Sequence, residues 1–196
     1  MLDAGCGTGD TTRLLARIVG PGGRVIGIDC DVPSLETAQQ AAAADGLTNV
    51  RFVHGDLRRL DPGEPVDALA GHLVLFHLDD SAPTLAHMVR WVRPGGVVTF
   101  QEATVGRAGP IPEVPLMSRH VGWVLAALSQ AGLDPEFGDS LPGLFRRAGL
   151  LHPGFAAVRI AGDADSLLPE YLTQTMKSMA PLAIAAGAAT ADEIAQ

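Results

Sequence analysis

Leu2-Asp3-Ala4-Gly5-Cys6-Gly7-Thr8-Gly9 is the stretch that decides how this chain reads. Residues 1–4 look like the end of a buried strand, and residues 10–19 put Leu14, Leu15 and Ile18 at helical spacing. A glycine turn therefore joins a strand to a helix. Glycine reaches positive φ and leaves room for a ligand beside the backbone. The helix that follows offers unpaired N–H groups and a partial positive charge to an anion. Two phosphate loops do not fit. The dinucleotide pattern G-x-G-x-x-G, counted from Gly5 and Gly7, meets Asp10 at its third glycine, and a carboxylate there repels a pyrophosphate. The loop G-x-x-x-x-G-K-[ST] needs a lysine, and Lys177 is the only one in the chain.

Strand and helix patterns alternate outward from the turn. Residues 24–29 (RVIGID) form a β-branched run, and Pro33 suits the first turn of a helix through Leu35, Ala38 and Ala42 that Gly46 ends. Residues 50–54 read as a third strand leading to Gly55-Asp56, and residues 66–74 as a buried central strand. Leu85, Met88, Val89 and Val92 recur with helical spacing, which predicts a helix stopped by Pro94-Gly95-Gly96. A strand over 97–100 then ends at Gln101-Glu102. This order predicts an α/β fold: a Rossmann-like, mostly parallel sheet with helices on both faces. After Glu102 a proline-rich loop precedes a helix from Met117 to Leu128, a short helix over 141–148 and a strand over 155–160. From Ser166 the chain reads as helix, with Leu168, Leu172, Met176 and Met179 on one face.

The chain has 196 residues and a formal charge of −8, with 47% hydrophobic and 18% charged residues. That composition is globular, and its sign argues against nucleic acid and acidic membranes as partners. Two cysteines, Cys6 and Cys30, are too few for a disulfide scaffold and fit a reducing compartment as buried thiols. With neither a long apolar run nor a secretion signal, the expectation is a soluble, cytoplasmic protein without a membrane partner.

The pattern D-x-G-x-G-x-G at Asp3–Gly9 resembles that of class I S-adenosylmethionine-dependent methyltransferases of the small-molecule type. Three further motifs agree in order: Asp29 ending the second strand, Gly55-Asp56-Leu57 after the third, and the segment from Val66 through Gly71-His72 to His77-Leu78. Arg93-Pro94-Gly95-Gly96 before a strand is another family feature. The resemblance covers residues 1 to about 102 and implies S-adenosylmethionine as cofactor, with S-adenosylhomocysteine as product. It implies that Asp3 answers the ligand's ammonium, the backbone of Gly5, Cys6, Gly7 and Gly9 its carboxylate, and Asp29 the ribose hydroxyls. Asp56 would read the adenine amino group, Cys30 and Leu57 would flank the adenine, and Gly71 and His72 would line the site from the fourth strand. On this reading residues 1–196 form a single domain. It has a cofactor-binding core at 1–102, a helical substrate cover at 103–132, and C-terminal helices and a strand at 133–196.

Methyl transfer from a sulfonium is an in-line displacement, so alignment and exclusion of water matter most, with a base needed only for a protic acceptor. His77 and Glu102, near the carboxyl ends of strands four and five, are the candidate bases. His72 and His77 lack a third partner of metal-binding spacing, so no metal is expected. Phe76, Met117 and Trp123 are candidates for an apolar pocket, and the amine-methylating signature [DN]-P-P-[YF] is absent after strand four. The expected acceptor is a small organic molecule, and a homodimer is among the expected assemblies. A binding-only relative of the fold and a nucleotide-dependent oxidoreductase are the alternatives, the second disfavoured by Asp10. The family carries more strand before its acidic–glycine motif than Met1-Leu2 and closes its sheet with a further hairpin. The resemblance therefore predicts a start upstream of Met1, and weakened cofactor binding if the short form is the native one.

Overall fold

A computed structural model describes residues 1–194 other than 107, 111 and 164. Five strands, β1 (Leu2–Ala4), β2 (Val25–Asp29), β3 (Val50–His54), β4 (Val66–His72) and β5 (Val92–Gln101), lie in the order β3-β2-β1-β4-β5. Every pair is parallel, with Asp3 opposite Gly27 on one side and Ala70 on the other. This is the Rossmann-like sheet that the alternating pattern predicts. Leu2, Ile28 and Leu69 are buried because helices cover both faces of such a sheet. The strand order reverses beside β1, which makes the carboxyl ends of β1 and β4 the place where an open sheet leaves a crevice.

Helix α1 (Asp10–Val19) turns Thr12 and Ala16 inward. Helix α2 (Val32–Ala44) starts at Asp31, whose carboxylate accepts the Ser34 N–H at 3.0 Å. Arg13 and Arg17 both reach Asp45 just beyond the end of α2, at 2.6 and 2.5 Å. Helix α3 (Ser81–Val89) is shorter than its apolar spacing suggests, and Val92 opens β5 instead of continuing the helix. The reason is a competing hydrogen bond: the Val66 N–H donates to the Trp91 carbonyl at 2.7 Å and draws the chain into the sheet. Pro94-Gly95-Gly96 then lies within β5, where the register shifts from Val66 opposite Val92 to Ala68 opposite Val97. Strand β4 also ends early. Leu73 adopts φ 52°, and the chain turns there.

The described chain divides into two compact units. The first holds Met1–Glu102 together with Leu141–Pro153, so residues 141–153 pack with the sheet although the sequence order groups them with the C-terminal part. Phe145 meets Phe100 edge-on there, and Leu144 is buried. The second unit holds Ala103–Ser140 and the chain from Gly154 onward. Its helices are α4 (Pro115–Gln130), α6 (Leu168–Ala185) and α7 (Ala191–Ile194), while α5 (Phe137–Arg147) crosses the division. Trp123 and Ala127 of α4 pack with Met176 and Ala183 of α6. Trp123, expected in a pocket, therefore fills this core. The strand expected over 155–160 does not form. Phe155, Val158 and Ile160 stand 53%, 84% and 76% exposed, and the run pairs with no strand among the described residues. A β-branched run becomes a strand only where a ladder accepts it. No helix among the described residues is long and apolar enough to cross a membrane.

A Cβ added at Gly71 would overlap the Phe100 ring, whereas one at Gly22 meets nothing within 4 Å. Gly71→Ala is expected to lower the unfolding free energy by about 1–3 kcal/mol, and Gly22→Ala to change it by less than about 0.5 kcal/mol. Urea denaturation of the two variants checks this, and equal midpoints would contradict the packing.

Candidate functional site

The glycine turn leaves β1 at Ala4 and is tied to β2 by two bonds. The Cys6 N–H donates to the Ile28 carbonyl at 3.0 Å, and the Gly7 N–H donates to Asp29 Oδ2 at 2.8 Å. The other carboxylate oxygen of Asp29 accepts the Asp31 N–H at 2.9 Å. Each oxygen thus has one lone pair occupied and another available, on a side chain that remains partly exposed. Gly7 has φ 49°, and a Cβ there would meet nothing within 4 Å, so the turn shows bare backbone to open space.

Asp3 lies beneath this turn, 1% exposed. Its Oδ2 accepts the Thr12 hydroxyl at 2.6 Å, and its Oδ1 is buried without a hydrogen-bond partner. Gly27 makes the arrangement feasible, because a Cβ there would come within 2.8 Å of Thr12 Oγ1 and 2.9 Å of Cys6 Sγ. Burial raises the Asp3 pKa from 3.8 to about 6, against the Thr12 hydrogen bond, and the nearby Asp29 charge adds to the rise. Burial also pushes the Cys6 thiol up to about 12, helped by Asp3 and Asp29, so Cys6 is a neutral thiol and not a nucleophile. A buried carboxylate with one vacant acceptor, beneath a turn of open backbone that leads into the N-terminus of α1, suits a ligand that carries a cation and an anion together.

The chain after β4 forms the other side. A 3-10 turn at Leu75–His77 is anchored at its start by Glu102, just after β5, which accepts its N–H groups. Glu102 Oε1 accepts the Val74 N–H at 3.1 Å and the Leu75 N–H at 2.8 Å, and Oε2 is buried without a partner. Burial raises the Glu102 pKa, and the N–H groups of Leu75, Val74 and Phe76 oppose the rise. His77 stacks on Phe76 at 3.9 Å between ring centroids. Burial lowers its pKa and the field of Asp29 raises it, with burial the larger effect, which leaves a neutral imidazole within electrostatic reach of Asp29.

The sequence of residues 1–96 matches the family described as a methyltransferase domain. Residues 1–96 belong to that family. Within curated proteins, 101 residues are 38% identical to the trans-aconitate 2-methyltransferase of Azoarcus sp. (strain BH72), covering 52% of this chain and 38% of that one. A demethylmenaquinone methyltransferase of Geobacillus stearothermophilus is 36% identical over 104 residues, or 53% of this chain and 44% of the relative. The matches thus span less than half the length of these relatives. Among solved structures, the YcgJ protein of Bacillus subtilis superposes with a TM-score of 0.65 at 18% identity, over 98% of this chain and 78% of that one. At that identity the likeness concerns the fold.

The methyltransferase domain brings the expected residues together unequally. Asp3 lies in β1, Gly5, Cys6, Gly7 and Gly9 form the turn after it, and Asp29 and Cys30 follow at the end of β2, with Cys30 exposed. Asp56 is not free to point where it will: Arg58 holds it by a fork, with Nε to Oδ1 at 2.9 Å and Nη2 to Oδ2 at 2.8 Å. That pair, with the Arg58 N–H, brings the Asp56 pKa down to about 2. Leu57 is 7% exposed and belongs to the core. Gly71 makes room for Phe100 and Val74, and His72 at the end of β4 is exposed. Glu102, expected as a base, has one oxygen committed to peptide N–H groups. Sequence reasoning missed Thr12, Val74 and Arg58. The spacing of Asp56 and Arg58 is a local turn signal, since the Arg58 N–H donates to Asp56 Oδ1 at 3.0 Å. Thr12 and Val74 come into play only through the fold. No cluster of metal-ligating side chains occurs among the described residues.

Because the native pKa of Asp3 is about 6 against 3.8 for the free group, the native state holds this proton more tightly than the unfolded chain. The Asp3 contribution to stability therefore falls as pH rises through about 4 to 6, by about 1–3 kcal/mol in total. Asp3→Asn removes that slope, so wild type should lose stability relative to the variant between pH 4 and 7. Urea titrations across that range measure it, and parallel curves would refute the assignment.

Proposed function

We propose that this protein transfers a methyl group from S-adenosylmethionine to a small organic acceptor. The observation that carries the reading is Asp29. A partly exposed carboxylate at the carboxyl end of β2, beside β1 and fixed by the N–H groups of Gly7 and Asp31, presents two oxygens suited to the paired hydroxyls of a ribose. The rest of the site fits the rest of the cofactor. Asp3 supplies negative charge beneath the turn for the ammonium, and the turn leads directly into the N-terminus of α1, whose partial positive charge suits the carboxylate. Asp56 and Leu57 stand at the end of β3, where an adenine would be read.

The bound cofactor supplies an electrophilic methyl on a sulfonium. The chain's own part is to hold it in line with the acceptor and to keep water away. Neutral His77 accepts the proton of a hydroxyl acceptor at its imidazole nitrogen. An acceptor that is already anionic needs no such step. Support for a small acceptor comes from the −8 charge and from the relatives, whose names refer to trans-aconitate and demethylmenaquinone.

Calorimetry should show S-adenosylhomocysteine binding, weakened about tenfold or more in Asp29→Asn by loss of a charge-assisted bond. Labelled cofactor offered with a panel of carboxylic acids, quinols and phenols should identify the acceptor. With a hydroxyl acceptor, His77→Ala should lower kcat about 100-fold, with the cofactor Kd unchanged. Dinucleotide binding without any S-adenosylhomocysteine binding would overturn the reading.

A further inference from the structure

The end of β5 and the glycine turn are connected through one residue of the chain between β4 and α3. The Leu73 N–H makes the last bond to β5, to the Gln101 carbonyl at 2.9 Å, and Leu73 then turns the chain with φ 52°. Leu73 is the one non-glycine residue with positive φ among the described residues, a conformation that costs energy and persists only where neighbours hold it. What holds it is Glu102 from the adjacent strand, which accepts the next two N–H groups at 3.1 and 2.8 Å. This places the Val74 side chain against Gly5, where a Cβ would overlap Val74 Cγ2 and come within 2.7 Å of its Cβ. The same side chain stands 2.9 Å from the place of a Cβ on Gly71. Val74 is 7% exposed, so it has no other place to go.

We propose that Glu102 is a positioning residue for the cofactor: by anchoring the N–H groups of Val74 and Leu75 it presses Val74 onto Gly5 and holds the glycine turn in its binding shape. It rests on the reading of this turn as the cofactor site. The link from Glu102 to the turn runs through Val74, so the two act as one unit. The anchor needs an acceptor oxygen and not a charge. Glutamine keeps that oxygen and alanine does not. Because Glu102 accepts hydrogen bonds and abstracts no proton, its replacement changes cofactor affinity more than kcat.

The test has a ligand-free arm and a binding arm. In hydrogen exchange on the full chain without ligand, Glu102→Ala should speed exchange at residues 74–77 and also at residues 5–9, and Glu102→Gln should restore both. Faster exchange confined to 74–77 would overturn the proposal, whatever the protein binds. In calorimetry with S-adenosylhomocysteine, Glu102→Ala and Val74→Ala should each weaken binding about tenfold, and the double variant by no more than about twice the worse single one. Glu102→Gln should stay within about threefold of wild type. Multiplying losses in the double variant, or a Glu102→Ala Kd within twofold of wild type, would overturn it. No binding by wild type, with the exchange pattern as expected, would reject the cofactor reading and leave the mechanical link standing. Thermal unfolding of each variant separates these local effects from loss of the fold.

Discussion

The structure depends on how closely two backbone segments approach at the reversal of strand order. After β4 the chain returns across the end of β1, and the Val74 side chain fills space that Gly5 and Gly71 leave open. Interiors at crystalline density tolerate no extra methyl group at such a crossing. The absence of two Cβ atoms therefore sets where the glycine turn lies relative to the sheet. The Asp29 carboxylate holds the turn from the other side through the Gly7 N–H. A turn held on both flanks keeps its backbone in one arrangement, which is the preorganisation that ligand binding requires.

Three aspartates of the same intrinsic acidity are placed in three different environments. Asp56 is partly exposed and forked to Arg58, which holds it far into its ionised form. Asp29 is bonded to backbone N–H groups on both oxygens and remains accessible. Asp3 is buried with one oxygen unpartnered, and its pKa rises accordingly. Charge at the site is thus graded from rim to interior. The buried end is where a cation gains most, because an unpaired carboxylate in a low-dielectric interior has the most to recover.

Glu102 shows how a carboxylate near a site can serve geometry instead of chemistry. Its position at the end of β5 is what a sequence reader expects of a base. The structure gives its Oε1 to the N–H groups of Val74 and Leu75, and leaves His77 as the neutral, partly buried group with a free role. The second unit is built on a hydrophobic cluster around Trp123 and Met176. The family match ends at residue 96.

Much of this was legible in the chain itself. Alternating periodicity determined the parallel sheet and its order of elements, because these follow from local conformation, and the resemblance carried by the D-x-G-x-G-x-G turn and Asp29 singled out Asp3, Gly5, Gly7 and Asp29 as candidates. The strand expected at 155–160 shows where propensity stops: Val158 and Ile160 favour extended backbone, but a strand exists only when another offers a ladder. Val92 shows the same limit, since its helical spacing yields to a sheet bond made by Trp91. Only the tertiary structure decided that Thr12 bonds Asp3, that Val74 presses on Gly5 and that Glu102 anchors a turn. Val74 and Gly5, and Glu102 and Val74, lie far apart in the chain, and even Thr12 and Asp3, nine residues apart, meet across a strand and a helix. These distances are set by how strands and helices pack, which no local pattern of residues encodes.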